Sequence, residues 1–155
     1  MKGDRFGPIL ALTVAIAAVA AALTACGGST SAAATGLTHA QLLRQGDAIC
    51  VKAGRRIAVG VAQEVKKSGG KGLDQAAQEK ILATITGPGI ERMAAELGDL
   101  RPPANEADAM SAVVIAFERA GRRLQEKPKE GTRKNLLAPP ARKAEKFGFE
   151  SCSQF

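Results

Sequence analysis

Residues 38–65 read THAQLLRQGDAICVKAGRRIAVGVAQEV, and the spacing of their apolar side chains decides the fold class. Leu42, Ile49, Cys50, Ala53, Ile57, Val61 and Val65 recur at three- and four-residue steps, while Arg44, Lys52, Arg55 and Arg56 take the other side. That is the period of a helix with one buried face. Thr38 followed by Gln41 predicts a capping box at its start. Cys50 falls on the apolar face, where a structural cysteine belongs. Gly46, Gly54 and Gly60 weaken the helix by about 1 kcal/mol each against Ala, and a close approach of another element would explain them.

Downstream the same period continues. Lys66–Gly72 reads as a loop, followed by a helix from about Leu73 to Thr86. Gly87-Pro88-Gly89 is expected to break or kink it, because proline removes a donor and glycine frees the backbone. Ile90, Met93, Ala94 and Leu97 resume the spacing until Arg101-Pro102-Pro103 forces a turn. Asn105 and Asp108 are candidate caps for a third helix, which carries the cleanest apolar series, from Ala107 to Leu124. Pro139-Pro140 splits the last segment, giving a short turn or helix at 132–138 and a helix at about 140–147 ended by Gly148. No alternation of period two occurs. The expected fold is all-α, an up-and-down four-helix bundle with a broken second helix, over residues 38–155.

Upstream, residues 27–36 are small and uncharged and cannot repay their ordering entropy, so 26–37 reads as a lipidated N-terminus and flexible tether. Before it, Lys2 and Arg5 precede a run from Pro8 to Ala25 without a charged residue. That pattern predicts a secretory signal peptide over 1–25. It ends in Leu23-Thr24-Ala25-Cys26, the form of a bacterial lipobox. Cys26 is then the lipidation site. Diacylglycerol on its thiol and further palmitate-type acylation give stable anchoring, whereas one chain binds only marginally. The expected location is the extracytoplasmic face of the cell membrane.

With Cys26 assigned to lipid, Cys50 and Cys152 remain as an even pair in an oxidising compartment, and a disulfide is the economical reading. No CxxC occurs, and two distant cysteines with one histidine make a poor zinc site.

The lipobox, the tether, GDAICVKAGRRI (46–57), LGDLRPPANEADAM (97–110) and AEKFGFESC (144–152) together resemble a group of small helical lipoproteins from actinobacteria. In that group D-x-I-C, L-x-x-L-x-P-P and a terminal G-(aromatic or aliphatic)-x-x-C recur. Asp47, Ile49, Cys50, Leu97, Leu100, Pro102, Pro103, Gly148 and Cys152 are the matching positions. The resemblance implies a secreted, disulfide-closed helical domain whose shared positions determine the fold. It carries over no activity. Pro139-Pro140 departs from the group's unbroken Ala-rich helix and implies a shorter last helix.

Candidate chemistry is sparse. His39 is the sole histidine, and Ser111 and Ser151 lack a nucleophile motif. Glu91, Glu96, Asp99, Glu106 and Asp108 read as caps and solvated side chains. No cofactor or metal is expected, and the chain does not read as an enzyme. The formal charge is +7 at pH 7. Arg55, Arg56, Arg122, Arg123, Arg142 and Lys143 are the candidate contacts for a polyanion. Export and the absence of Tyr and Trp argue against nucleic acid, leaving anionic lipid head groups or wall polymers, alongside a protein partner. The expected function is a non-enzymatic binding or interaction module at the cell envelope. The alternative is a carrier for a small apolar ligand within an openable bundle.

Overall fold

Thr38 has extended backbone angles, φ −68° and ψ 157°. Its hydroxyl accepts from the Gln41 amide at 3.3 Å, and the Gln41 side chain accepts from the Thr38 amide at 2.9 Å. The capping box is thus formed, and it starts α1 (His39–Lys67) by satisfying donors that a helix N-terminus leaves open. The computed structural model describes residues 36–69 and 72–155. The leader 1–25, Cys26, the tether as far as residue 35, and Gly70 and Lys71 of the first loop lie outside the described residues. Leu37 donates its amide to the Arg101 carbonyl at 2.8 Å and packs against the core, so the chain is held before α1 begins.

Leu42, Gly46, Cys50 and Ala53 of α1 are buried, and Ile49 and Ile57 flank the core. Beyond Ile57 no residue of α1 is buried, so Val61 and Val65 are only half-covered. Next, α2 (Gln75–Ile81) is capped by Asp74, whose carboxylate accepts from the Ala77 amide at 2.7 Å.

The break expected at residues 87–89 takes another form. The backbone stays helical from Gln75 to Gly98: a π turn, Leu82–Thr86, leads directly into α3 (Gly87–Gly98). The reason is steric. Pro88 has no amide hydrogen, and in a regular helix its ring would press on the Thr84 carbonyl. One widened turn before it relieves the clash, and the Gly87 amide donates five residues back to the Leu82 carbonyl.

A 3-10 turn, Ala104–Glu106, leads into α4 (Ala107–Glu126). The proposed Asn105–Asp108 cap is not made; no side chain caps α4, because Asn105 is taken up in that turn. Residues 132–137 form turns, one of the two forms expected there, and a one-turn helix, α5 (Pro128–Gly131), precedes them because Pro128 is suited to a first helical turn. Pro139 and Pro140 mark the division expected in the last segment, between the turns at 132–137 and the last helix. They occupy the first turn of α6 (Ala138–Phe147), where a missing amide hydrogen leaves no bond unmade. Asn135 Oδ1 accepts from the Leu137 and Ala138 amides at 3.0 and 3.2 Å and holds that entry. Gly148 ends α6 in the left-handed region, φ +108°, as the sequence predicts. A last 3-10 turn, Cys152–Gln154, follows.

The described chain is all-helical, with no strand among the described residues. Its longer helices pack in sequence order: α1 on α3, α3 on α4, and α4 on α6. There α3 and α4 cross backbone to backbone. A Cβ on Gly87 would stand 2.8 Å from the Gly121 carbonyl oxygen, and one on Gly121 would stand 2.9 Å from that of Gly87. Leu42, Ile90, Met93, Leu97, Phe117 and Phe149 fill the centre at 0–1% exposure. Each such side chain contributes roughly 1.5–3 kcal/mol on burial.

Cys50 and Cys152 are joined by a disulfide, with Cα atoms 5.1 Å apart across 102 positions. The chain-entropy view assigns about 4.7 kcal/mol to closing a loop of that size. Around the bridge the ends of the chain interlock. The Asp47 carboxylate accepts from the Ser151 and Glu150 amides at 2.7 and 3.4 Å, and the Phe149 ring occupies the space a Cβ on Gly46 would need.

Candidate functional site

The six cations proposed as polyanion contacts do not form one cluster. Arg56 is structural: its guanidinium donates to Glu96 of α3 at 2.8 Å, with Lys52 3.5 Å from the same carboxylate. The Arg56 hydrogen bond holds the Glu96 carboxyl below its ordinary range, against the opposing effect of partial burial. Arg55 borders a separate depression of about 290 Å³ beside the disulfide, with Val51 and Phe155. Arg122 stays on its own helix, 4.0 Å from Glu118. These three lie elsewhere because helix rotation, not chain proximity, sets where a side chain points.

Arg123, Arg142 and Lys143 line adjoining depressions where α6 packs on α4. Three depressions there share walls. The first, about 470 Å³, has Arg119, Arg123, Lys134 and Pro139 in its lining. The second, about 270 Å³, has Pro139, Arg142, Lys143 and Lys146. The third, about 410 Å³, has Lys143, Lys146, His39, Glu106 and Phe147. Together they make a trough along α6. Ala109, Ala112 and Ala116 of α4 lie in its lining, and their small side chains keep it open. Pro140, Ala141 and Ala144 of α6 are buried, which turns Arg142, Lys143 and Lys146 outward.

Two carboxylates stand among these cations. Glu130 is gripped by Arg123 through Nε and Nη2, at 2.8 and 2.7 Å, and lies 3.7 Å from Lys134. That hydrogen bond keeps the Glu130 carboxyl below its ordinary range and raises the Arg123 guanidinium. Glu106 meets His39 Nδ1 at 2.9 Å. Arg119, Arg142, Lys143 and Lys146 have no carboxylate within 4.0 Å among the described residues.

Three of these residues are not among the six sequence candidates, and one pairing is not legible in the sequence. Arg119, Lys134 and Lys146 enter the trough because α4, the 132–137 turn and α6 meet there, and nothing local to them says so. His39 reads as an isolated exposed side chain, yet its ring faces both Glu106, 67 positions away, and Phe147, at a centroid distance of 6.3 Å. The acidic residues near the central turn are dispersed: Glu91 accepts from Gln125, Glu96 from Arg56, and Glu106 pairs with His39. Among the described residues no three His, Cys, Asp or Glu side chains are grouped to hold a metal ion. Cys26 lies outside the described residues. No helix among the described residues is long and apolar enough to cross a membrane. No family model, curated protein or solved structure matches the chain.

Proposed function

We propose that this chain is a lipid-anchored extracytoplasmic lipoprotein, a non-enzymatic interaction module at the cell envelope. The observation that carries the reading is the Cys50–Cys152 disulfide. Disulfides persist in oxidising compartments outside the cytoplasm, and this pairing leaves Cys26, at the end of an apolar leader, as the thiol available for lipid. In this reading residues 1–25 are a cleaved signal peptide and 26–35 link the lipid to the folded part. α1, the α2–α3 rod, α4 and α6 are then the four staves of an up-and-down bundle, the second bent through its π turn. The chain would sit among the small helical lipoproteins of actinobacteria. Asp47, Gly148 and the two cysteines favour that placement, since all four serve the same closure of chain ends.

Interaction at the surface is favoured over carriage of an apolar ligand. The aromatic side chains Phe117 and Phe149 fill the space between helices, and the trough along α6 is open and cationic.

The test is fractionation of cells expressing wild type or Cys26→Ala. Wild type is expected with the membranes, and the variant is expected to lose the mass of the lipid and the membrane retention it confers. Equal retention of both chains, with no lipid on either, would overturn the reading.

A further inference from the structure

We infer that the α4–α6 trough binds a linear polymer of phosphates, taken up as an extended chain lying along α6. This deepens the proposed function by naming a partner class, and it rests on that reading only for the compartment in which the polymer is met.

The charge balance is the first argument. Six cations, Arg119, Arg123, Lys134, Arg142, Lys143 and Lys146, line the trough against the carboxylates Glu106 and Glu130. Elsewhere Arg56, Lys52, Lys67 and Lys80 are committed to Glu96 and Glu64, and other cations without a carboxylate within 4.0 Å among the described residues, such as Arg55 and Arg92, border separate depressions. The free cations of the trough are concentrated on one short helix, three of them within α6. Holding like charges together has a cost that an anionic partner removes.

The shape is the second argument. The depressions are concatenated along a helix of 10 residues, about 15 Å. That length meets more than one phosphate of an extended chain. A trough between two helices admits a strand-like polymer, whereas docking on a bilayer calls for apolar side chains entering the interface beside the cations. Leu136 and Phe147 do line the trough but are half-buried, and the exposed large apolar side chains, Val51, Val59 and Ile115, are not in its lining.

The donor set is the third. Arg119 and Arg142 present planar forks suited to paired phosphate oxygens, and the lysines act as mobile point charges between them. The rings in the lining, Phe147 and His39, sit together at one end, 6.3 Å apart, so stacked bases find no platforms along the rest of the trough. The backbone, not an attached base, is what the trough can read.

The experiment titrates the full chain in detergent with inorganic polyphosphate over a range of salt. Arg142→Ala/Lys143→Ala/Lys146→Ala is compared with Arg55→Ala/Lys66→Ala/Arg92→Ala, an equal removal of charge outside the trough. The trough variant is expected to bind about tenfold more weakly or worse. Its salt slope should fall by roughly 2, at about 0.7 for each phosphate left without a neutralising cation. The control variant is expected to change binding by less than about threefold. Lys143→Glu provides a second reading with one substitution and should weaken binding in the same direction. Equal weakening by both triple variants would show net charge alone, and unchanged binding by the trough variant would show another site. Either result overturns the inference. So does loss of polyphosphate binding when phosphatidylglycerol is added to the micelles at equal phosphate, since the face would then be reading lipid head groups. Retention of the chain on membranes through Cys26 is unaffected by any of these outcomes, so failure here is distinct from failure of the lipoprotein reading.

Discussion

The disulfide-closed end of the molecule and the α4–α6 trough treat their polar groups in opposite ways. At the closed end the groups that join the segments are paired internally, while Arg55 beside the bridge is not, among the described residues. Asp47 takes the Ser151 and Glu150 amides, and Arg56 and Lys52 flank Glu96. In the trough Arg119, Arg142, Lys143 and Lys146 face solvent with no carboxylate within 4.0 Å among the described residues. Paired groups hold the chain together; unpaired ones are held by it. The difference says that basic residues of one chain need not share one purpose, and that charge surplus is informative only after internal pairs are set aside.

The sharpest way to break that comparison is at the bridge. Cys50→Ala/Cys152→Ala is expected to cost about 2–5 kcal/mol in chemical denaturation. A variant of unchanged stability would show that the closed end is not what holds the fold. Next in size is Gly46→Ala. Its methyl group would enter the Phe149 ring, so Phe149 or α1 must shift, and a destabilisation of about 1–3 kcal/mol is expected from such overpacking. Asp47→Ala removes the acceptor for two backbone amides at the start of the last turn. About 1 kcal/mol is expected, as for removal of a helix cap, with faster amide exchange at Ser151.

Much of the closed end is legible in the sequence, because its devices are local or few. Thr38 and Gln41 stand three positions apart, Gly148 follows an apolar period, and the cysteines outside the lipobox admit one pairing. Other features need the fold. The sequence shows Pro88 as a breaker but not the π turn that absorbs it. That turn keeps Gly87 facing Gly121 of α4, an approach no local pattern encodes. Asn105 and Asp108 look like caps, yet residues 104–106 form a 3-10 turn that leaves both unused for α4. The trough is half-legible. Arg123, Arg142 and Lys143 stand among the sequence candidates, but Arg55, Arg56 and Arg122 have equal standing until helix rotation separates them. Arg119, Lys134 and Lys146 join only where three segments converge.

Acid should sharpen the contrast further. Glu96 and Glu130 titrate below the ordinary carboxylate range, held there chiefly by hydrogen bonds from Arg56 and Arg123. A carboxyl depressed in the folded state contributes stability that is fully present above its unfolded pKa, about 4.3. That contribution is lost as pH falls through the lower folded value. Stability is therefore expected to be flat from neutral pH to about 5 and to fall below about 4. In Glu96→Gln the acid-side fall should be shallower. An identical pH profile for wild type and variant would remove Glu96 from the account.

The smallest effect is expected in the trough itself. Lys143→Ala should change stability by less than about 0.5 kcal/mol, as for an exposed side chain with no partner. A larger drop in thermal unfolding would mean that this cation serves the fold after all, and the two regions would no longer differ in kind.

The central claim is a division of three sulfurs: Cys26 for an anchor, Cys50 and Cys152 for each other. Intact mass of the chain extracted from cell membranes, recorded with and without reductant, tests it most directly. The account predicts a polypeptide that begins at Cys26, carries diacylglycerol there, and gains two hydrogens on reduction. A chain that keeps residues 1–25, or one whose mass is the same before and after reduction, would contradict it.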